Sequence, residues 1–386
     1  MSELIRNSFS ENMIIQCIDE KTSFFCKKHQ LSLNLNTGGI SVNVPTNIIK
    51  KIKSLVLNDK EAGNLKTETE KTASILAGLR NELDGSAHFK LTLNLKHVGL
   101  YFSNGALSQY NQAIGRLALC HNGDVRFCDF GVDADYSMLD KLVLAAYNKI
   151  SPKKCANSHS GVRYDSIPKP AVFILKPQAA SFFVHEVLGH VLEQDNWDTQ
   201  HSLINVQKRV LPAGCEVVDD PINSKFLSYG TFDDSGNETK RTTVISDGFI
   251  CERISLMRSA EYTQIPQNRM SSFSLFNRHK GRSFDEILND HKRCVIIEEI
   301  SNGGLNPHTG DYFISSSKQY YCGSDAQEQV LLPCTYLGRI GDLCDSIIEV
   351  GGDYTSSIGI CSKKQQNLFV NNGSPSIALS QLEVLA

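Results

Sequence analysis

The sequence predicts an α+β protein, with a small N-terminal α+β domain followed by a strand-rich mixed C-terminal domain that contains one active-site helix. Three observations predict it. Residues 88–95 alternate strictly, with Phe89, Leu91, Leu93 and Leu95 set between polar neighbours, the period of a half-buried strand. Short β-like runs recur between turn signals through the second half of the chain. Among them only residues 181–194 have a sharply sorted helical stripe.

At 386 residues the chain exceeds the size at which one core usually keeps growing. The reading is an N-terminal domain over 1–150, a linker over 151–170 and a C-terminal domain over 171–386. In the first domain Ile48, Ile49, Ile52 and Leu55 have helical spacing over 45–57. Strands are expected at 88–95, 115–120 and 125–130, the last two joined through His121-Asn122-Gly123-Asp124, a good hairpin turn. A helix over 138–147 closes the domain. The linker is polar, contains three prolines and has no period. Strands follow at 171–175, 241–245, 295–297, 312–315, 346–350 and 377–379.

Composition narrows the function. Hydrophobic residues at 41% and charged residues at 21% fit a folded globular chain. A net charge of −3 provides no long-range attraction to nucleic acid. No apolar run approaches the length of a membrane span, and the start lacks a basic leader with an apolar core, so a cytoplasmic protein without nucleic-acid or membrane partners is expected. Its 12 cysteines are scattered without a CxxC pair and read mostly as buried thiols.

On a helical wheel, Val184, Val187, Leu188, Val191 and Leu192 share one face of 181–194, while His185, Glu186, Gly189, His190 and Glu193 share the other. Imidazoles are preferred zinc ligands, and the missing side chain at Gly189 would let an ion approach between the two histidines. In the familiar HExxH helix the histidines stand four apart. Here, in HEVLGH, they stand five apart, about 140° around an ideal helix. Both reach one ion only through a π-bulge or a glycine-permitted kink. Glu186, beside His185, is the candidate base. Glu193 either orients a histidine or is a solvated helix-end carboxylate.

The segment VHEVLGHVLEQD (184–195) resembles the motif block of the TldD/PmbA family of metallopeptidases. The resemblance continues through Val217-Val218-Asp219-Asp220, PQNRMSS around Met270, NGGLNPHTGDYFIS, and the closing IGICSKKQQNLFVNNGSPSIALSQLEVL. It implies a zinc site on His185, His190 and Cys361, with a fourth position left for water and Glu186 as base. It also implies cleavage of peptides or unfolded segments bound as an added strand. The implied partners are a second copy of the chain or a paralogue lacking the motif, and maturation of a precursor peptide is one such activity. Lys318 stands where relatives usually carry an acidic residue. Two other readings remain: a non-catalytic modulator subunit, and a zinc amidohydrolase acting on a small modified peptide.

Overall fold

The computed structural model describes residues 4–18, 21–36, 59–83, 87–102, 107–121, 124–131, 138–151, 161–193, 208–223, 239–252, 270–363 apart from 271, 280, 307, 325 and 326, and 366–385. The helix expected over 45–57 lies outside them. The chain forms two compact units, 1–156 with 230–238, and 157–229 with 239–386.

Among the described residues the first unit is an antiparallel sheet with two helices. Its strands are β1 (Leu4–Ile18), β2 (Lys21–Asn36), β3 (His88–Phe102), β4 (Leu107–His121) and β5 (Asp124–Gly131), in the order β2-β1-β3-β4-β5. The alternation at 88–91 is seen directly: Phe89 and Leu91 are buried, His88 and Lys90 exposed. His121 pairs with Asp124, the register the turn sequence predicts. Helix α1 (Asp59–Glu82) was not expected, because its buried positions, Thr72, Leu76 and Leu79, are a thin stripe in a polar segment. Helix α2 (Leu139–Ile150) runs three residues further than expected, its stripe continuing from Leu139, Val143, Ala146 and Tyr147 to Ile150. These side chains form one core with Leu76, Leu79, Leu83, Leu117, Leu119 and Phe130.

The second unit contains two sheets. Its first strands are β6 (Val172–Leu175), β7 (Cys215–Asp219), β8 (Thr242–Ser246), β9 (Phe249–Ile250) and β10 (Ser272–Asn277). There follow β11 (Cys294–Leu305), β12 (Asp311–Cys322), β13 (Glu328–Leu331) and β14 (Cys334–Arg339). The last are β15 (Ile347–Val350), β16 (Thr355–Lys363), β17 (Gln366–Ser374), β18 (Ile377–Leu379) and β19 (Glu383–Leu385). One sheet runs β16-β17-β10-β7-β8-β9; the other runs β15-β18-β6-β11-β12-β14-β19, with β13 also on β12. Pairing is antiparallel except β10 with β17 and β6 with β11.

Helix α3 (Pro177–Phe183) leads into the histidine motif, which packs against both sheets. Phe183, Val184, Val187, Leu188 and Val191 share one core with Phe173 and Leu175 of β6, Val217 of β7, Phe273 and Leu275 of β10, and Ile297 of β11. Two further short helices lie among the described residues of this unit, α4 (Phe284–Asp290) and α5 (Ile340–Ser346). The first is signalled by a capping box, in which Ser283 accepts from the Glu286 N–H and the Glu286 carboxylate accepts from the Ser283 N–H. No helix among the described residues is long and apolar enough to cross a membrane.

Candidate metal centre

Pro177 occupies the first turn of α3, where its missing N–H costs nothing. The helix then widens into a π turn over Val184–Gly189 and closes with one α turn, His190–Leu192, before the backbone becomes extended at Glu193. The His190 N–H donates to the His185 carbonyl. That i to i+5 bond removes most of the 140° offset of an ideal helix. Of the two distortions the spacing left open, the protein adopts the π turn. The imidazole centroids lie 4.9 Å apart with their planes at 80°.

Gly189 has a different purpose from the one expected. A Cβ built there would fall on the Met270 thioether and come within 3.3 Å of the Phe273 ring. The glycine admits the β10 side of the core against the π turn, and the space beside it holds sulfur and ring carbon rather than room for an ion.

Cys361 reaches the histidines through the β16–β17 hairpin. Ser357, Gly359 and Cys361 share a face of β16, since alternate residues of a strand point the same way. Ser357 Oγ lies 2.8 Å from Ser181 Oγ, one helical turn before His185. Two residues beyond Gly359, Cys361 Sγ lies 3.5 Å from His190 Nε2. One ligand atom from each of His185, His190 and Cys361 lies within 4.8 Å of the others. Zinc bonds of about 2.05 Å to nitrogen and 2.3 Å to sulfur at a tetrahedral angle put N and S about 3.6 Å apart. The two-nitrogen, one-thiolate donor set therefore fits zinc in chemistry and in span.

The other imidazole nitrogens are held from behind. His185 Nδ1 is 2.8 Å from Asn372 Oδ1, and His190 Nδ1 is 2.8 Å from Glu193 Oε2. Glu193 is wholly buried, and its second oxygen accepts the Met270 N–H at 3.2 Å. It is not a solvated helix end. Glu186 Oε2 lies 3.8 Å from His190 Nε2, and the Glu186 side chain keeps 17% of its surface exposed.

Electrostatics bias the donors. Burial pushes the Glu186 carboxyl above its ordinary value, opposed by the two imidazoles. Burial would also raise the Cys361 thiol, but hydrogen bonds from His185 and His190 outweigh it and bring the group down to about 5. Burial disfavours the charged form of His190, yet Cys361 and Glu193 raise it to about 10. The outcome is a Cys361 thiolate paired with a protonated His190; thiolate is the form in which cysteine ligates a metal.

Asp219 of β7 accepts the Ser272 N–H at 2.7 Å, tying β7 to β10, and Asp195 lies outside the described residues. Lys318 bonds to Glu298 on the neighbouring strand. Asn372 was not foreseen: nothing in VNNGSPS marks it without the strand register. Among the described cysteines Cys215, Cys294, Cys322 and Cys361 are buried, Cys120, Cys128 and Cys334 half-buried and Cys251 exposed.

The PmbA/TldA metallopeptidase C-terminal domain matches residues 169–386. A metalloprotease of Methanocaldococcus jannaschii is 28% identical over 216 residues, covering 52% of this chain and 47% of that protein. A zinc metalloprotease TldD homologue of Saccharolobus solfataricus is 24% identical over 234 residues, covering 57% and 53%. The chain thus spans about half the length of the curated relatives it matches. In fold it is similar to TldE of Thermococcus kodakarensis, with a TM-score of 0.57 at 12% identity over 98% of this chain and 97% of that one. It is also similar to a protein of Bacteroides thetaiotaomicron described as a modulator of DNA gyrase, with a TM-score of 0.60 at 12% identity over 98% and 94%.

Proposed function

Because the chain belongs to the TldD/PmbA family of metallopeptidases, we propose that it is a motif-bearing, zinc-dependent member that hydrolyses peptides or unfolded polypeptide segments. The observation that carries this is the convergence of His185, His190 and Cys361 beside the carboxyl of Glu186. A purely modulating subunit has no need of that set. His185, His190 and Cys361 would hold the zinc, which would lower the pKa of a bound water and polarise the scissile carbonyl. Glu186 takes the proton of the attacking water and delivers it to the leaving amine. Its raised pKa suits both halves of that task, since a base that must also act as an acid works best when poised closer to neutrality. Glu193 holds His190 in the orientation that presents Nε2.

The substrate class rests on the sheet that carries Cys361. Among the described residues strand β16 is outermost in its sheet, and a sheet edge can accept an extended chain through main-chain hydrogen bonds with little sequence preference. Such a site takes peptides and unfolded segments, including a precursor peptide under maturation. We assign the protein to the cytoplasm, as a homodimer or paired with a paralogue lacking the motif.

The test incubates the zinc-loaded chain with an unfolded protein and with a leader-bearing precursor peptide, alongside Glu186→Gln. Cleavage by the parent, and none by a Glu186→Gln variant that still holds zinc, is the expected result. Cleavage of neither substrate moves the activity to small modified amides. A protein that purifies without metal and ignores chelators is a binding subunit instead.

A further inference from the structure

We propose that Asn372 is the positioning residue for His185: its carboxamide oxygen accepts the Nδ1 proton and so reserves Nε2 for the cation. The inference rests on the metal-centre reading above and extends it to a residue that no motif marks. His185 and Asn372 are 3% and 7% exposed, and Nδ1 and Oδ1 lie 2.8 Å apart. A neutral imidazole has one N–H and one lone pair, so the nitrogen that donates to the carboxamide leaves the other as the ligand. Buried as it is, an Nδ1–H without that acceptor would be left unsatisfied, and the ring would be free to turn or to change tautomer.

The placement is set by the backbone. Asn372 lies directly opposite Ser357 in the β16–β17 pair, on the face that carries Cys361. It is also in register with Phe273 of β10 on its other side. One hairpin therefore brings both the thiolate and the group that orients the first imidazole, and it is fixed to the helix through Ser357 and Ser181. The two histidines are held unequally: His190 by a carboxylate, His185 by a neutral amide. A charged acceptor strengthens its imidazole as a donor more than a neutral one does. His185 is thus the ligand whose geometry depends on orientation alone, and Asn372 is what supplies it.

The experiment measures zinc affinity of the full chain by competition with a chromophoric chelator, together with the absorption spectrum of the cobalt-loaded protein. Asn372→Leu keeps the branched shape and removes the acceptor; Asn372→Asp keeps the acceptor. Asn372→Leu should weaken zinc about 10- to 100-fold, while the thiolate-to-cobalt band persists because Cys361 still binds. Asn372→Asp should restore at least the parental affinity. Parental affinity in Asn372→Leu, or equal weakening in both variants, overturns the proposal. If Asn372→Leu does not fold, Asn372→Ala stands in the same comparison. A parent chain that binds no zinc overturns the metal centre itself, whereas zinc binding unchanged by Asn372→Leu overturns only the role of Asn372.

Discussion

Glu193→Ala separates an orienting carboxylate from an incidental one. Glu193 is wholly buried and receives two donors, the Met270 N–H at 3.2 Å and His190 Nδ1 at 2.8 Å. Truncation leaves both without that partner. A buried donor deprived of its acceptor costs about 1–3 kcal/mol, so the two together cost about 2–6 kcal/mol. At about 2–4 °C of melting temperature per kcal/mol for a unit of this size, the loss is at least about 4 °C. Glu193→Gln keeps one acceptor oxygen but turns an amide toward the second donor, so it should recover part of that stability. Neither variant restores the charged acceptor behind His190, and zinc affinity should fall about 10- to 100-fold in both. Thermal unfolding with excess chelator reads the first effect, and chelator competition reads the second. A Glu193→Ala chain that melts with the parent and binds zinc as tightly would refute the reasoning.

Other expected outcomes follow from the same geometry. Gly189→Ala should destabilise the chain by about 1–3 kcal/mol through overpacking against Met270, although alanine is the better helix former by about 1 kcal/mol. The cost should shrink in a Met270→Ala background, and a Gly189→Ala chain more stable than the parent would show that the space is free. Glu186→Gln should bind zinc normally and lose turnover; loss of metal with the carboxylate would instead make Glu186 a ligand. The Arg278 guanidinium bonds to Glu216, one contact at 2.8 Å, and holds that carboxyl below its ordinary value. A depressed carboxylate contributes stability above its unfolded pKa, about 4.3, and loses it as pH falls through the lower folded value. The melting-temperature gap between the parent and Arg278→Ala should therefore be full above about pH 5 and close below it. A gap constant into acid would remove the ion pair as its cause.

Legibility in the sequence follows the physics of each feature. The motif helix was readable because Val184, Val187, Leu188, Val191 and Leu192 sort onto one face, and the five-residue histidine spacing demanded either a π-bulge or a kink, of which the first is found. Strands with one buried face, such as β3, announce themselves by alternation. Strand β7 does not, since all five of its residues are buried and the period vanishes. Helix α1 was missed for the opposite reason, too few apolar positions among charges. At the site, the histidines and Glu186 are local and could be read from 12 contiguous residues. Cys361 is 171 positions from His190 and was reachable only through the resemblance, because its approach is created by tertiary pairing of β16 with β17. Asn372 depends on the same register and left no local signal. Gly189 was read as room for an ion, but what approaches it is Met270.

The central claim is a cation held by two imidazoles and one thiolate, and X-ray absorption at the zinc edge of the loaded chain tests it most directly. The account predicts two nitrogen scatterers at about 2.0–2.1 Å and one sulfur at about 2.3 Å, with the sulfur shell lost in Cys361→Ala. A zinc shell made only of nitrogen and oxygen in the parent chain would contradict it.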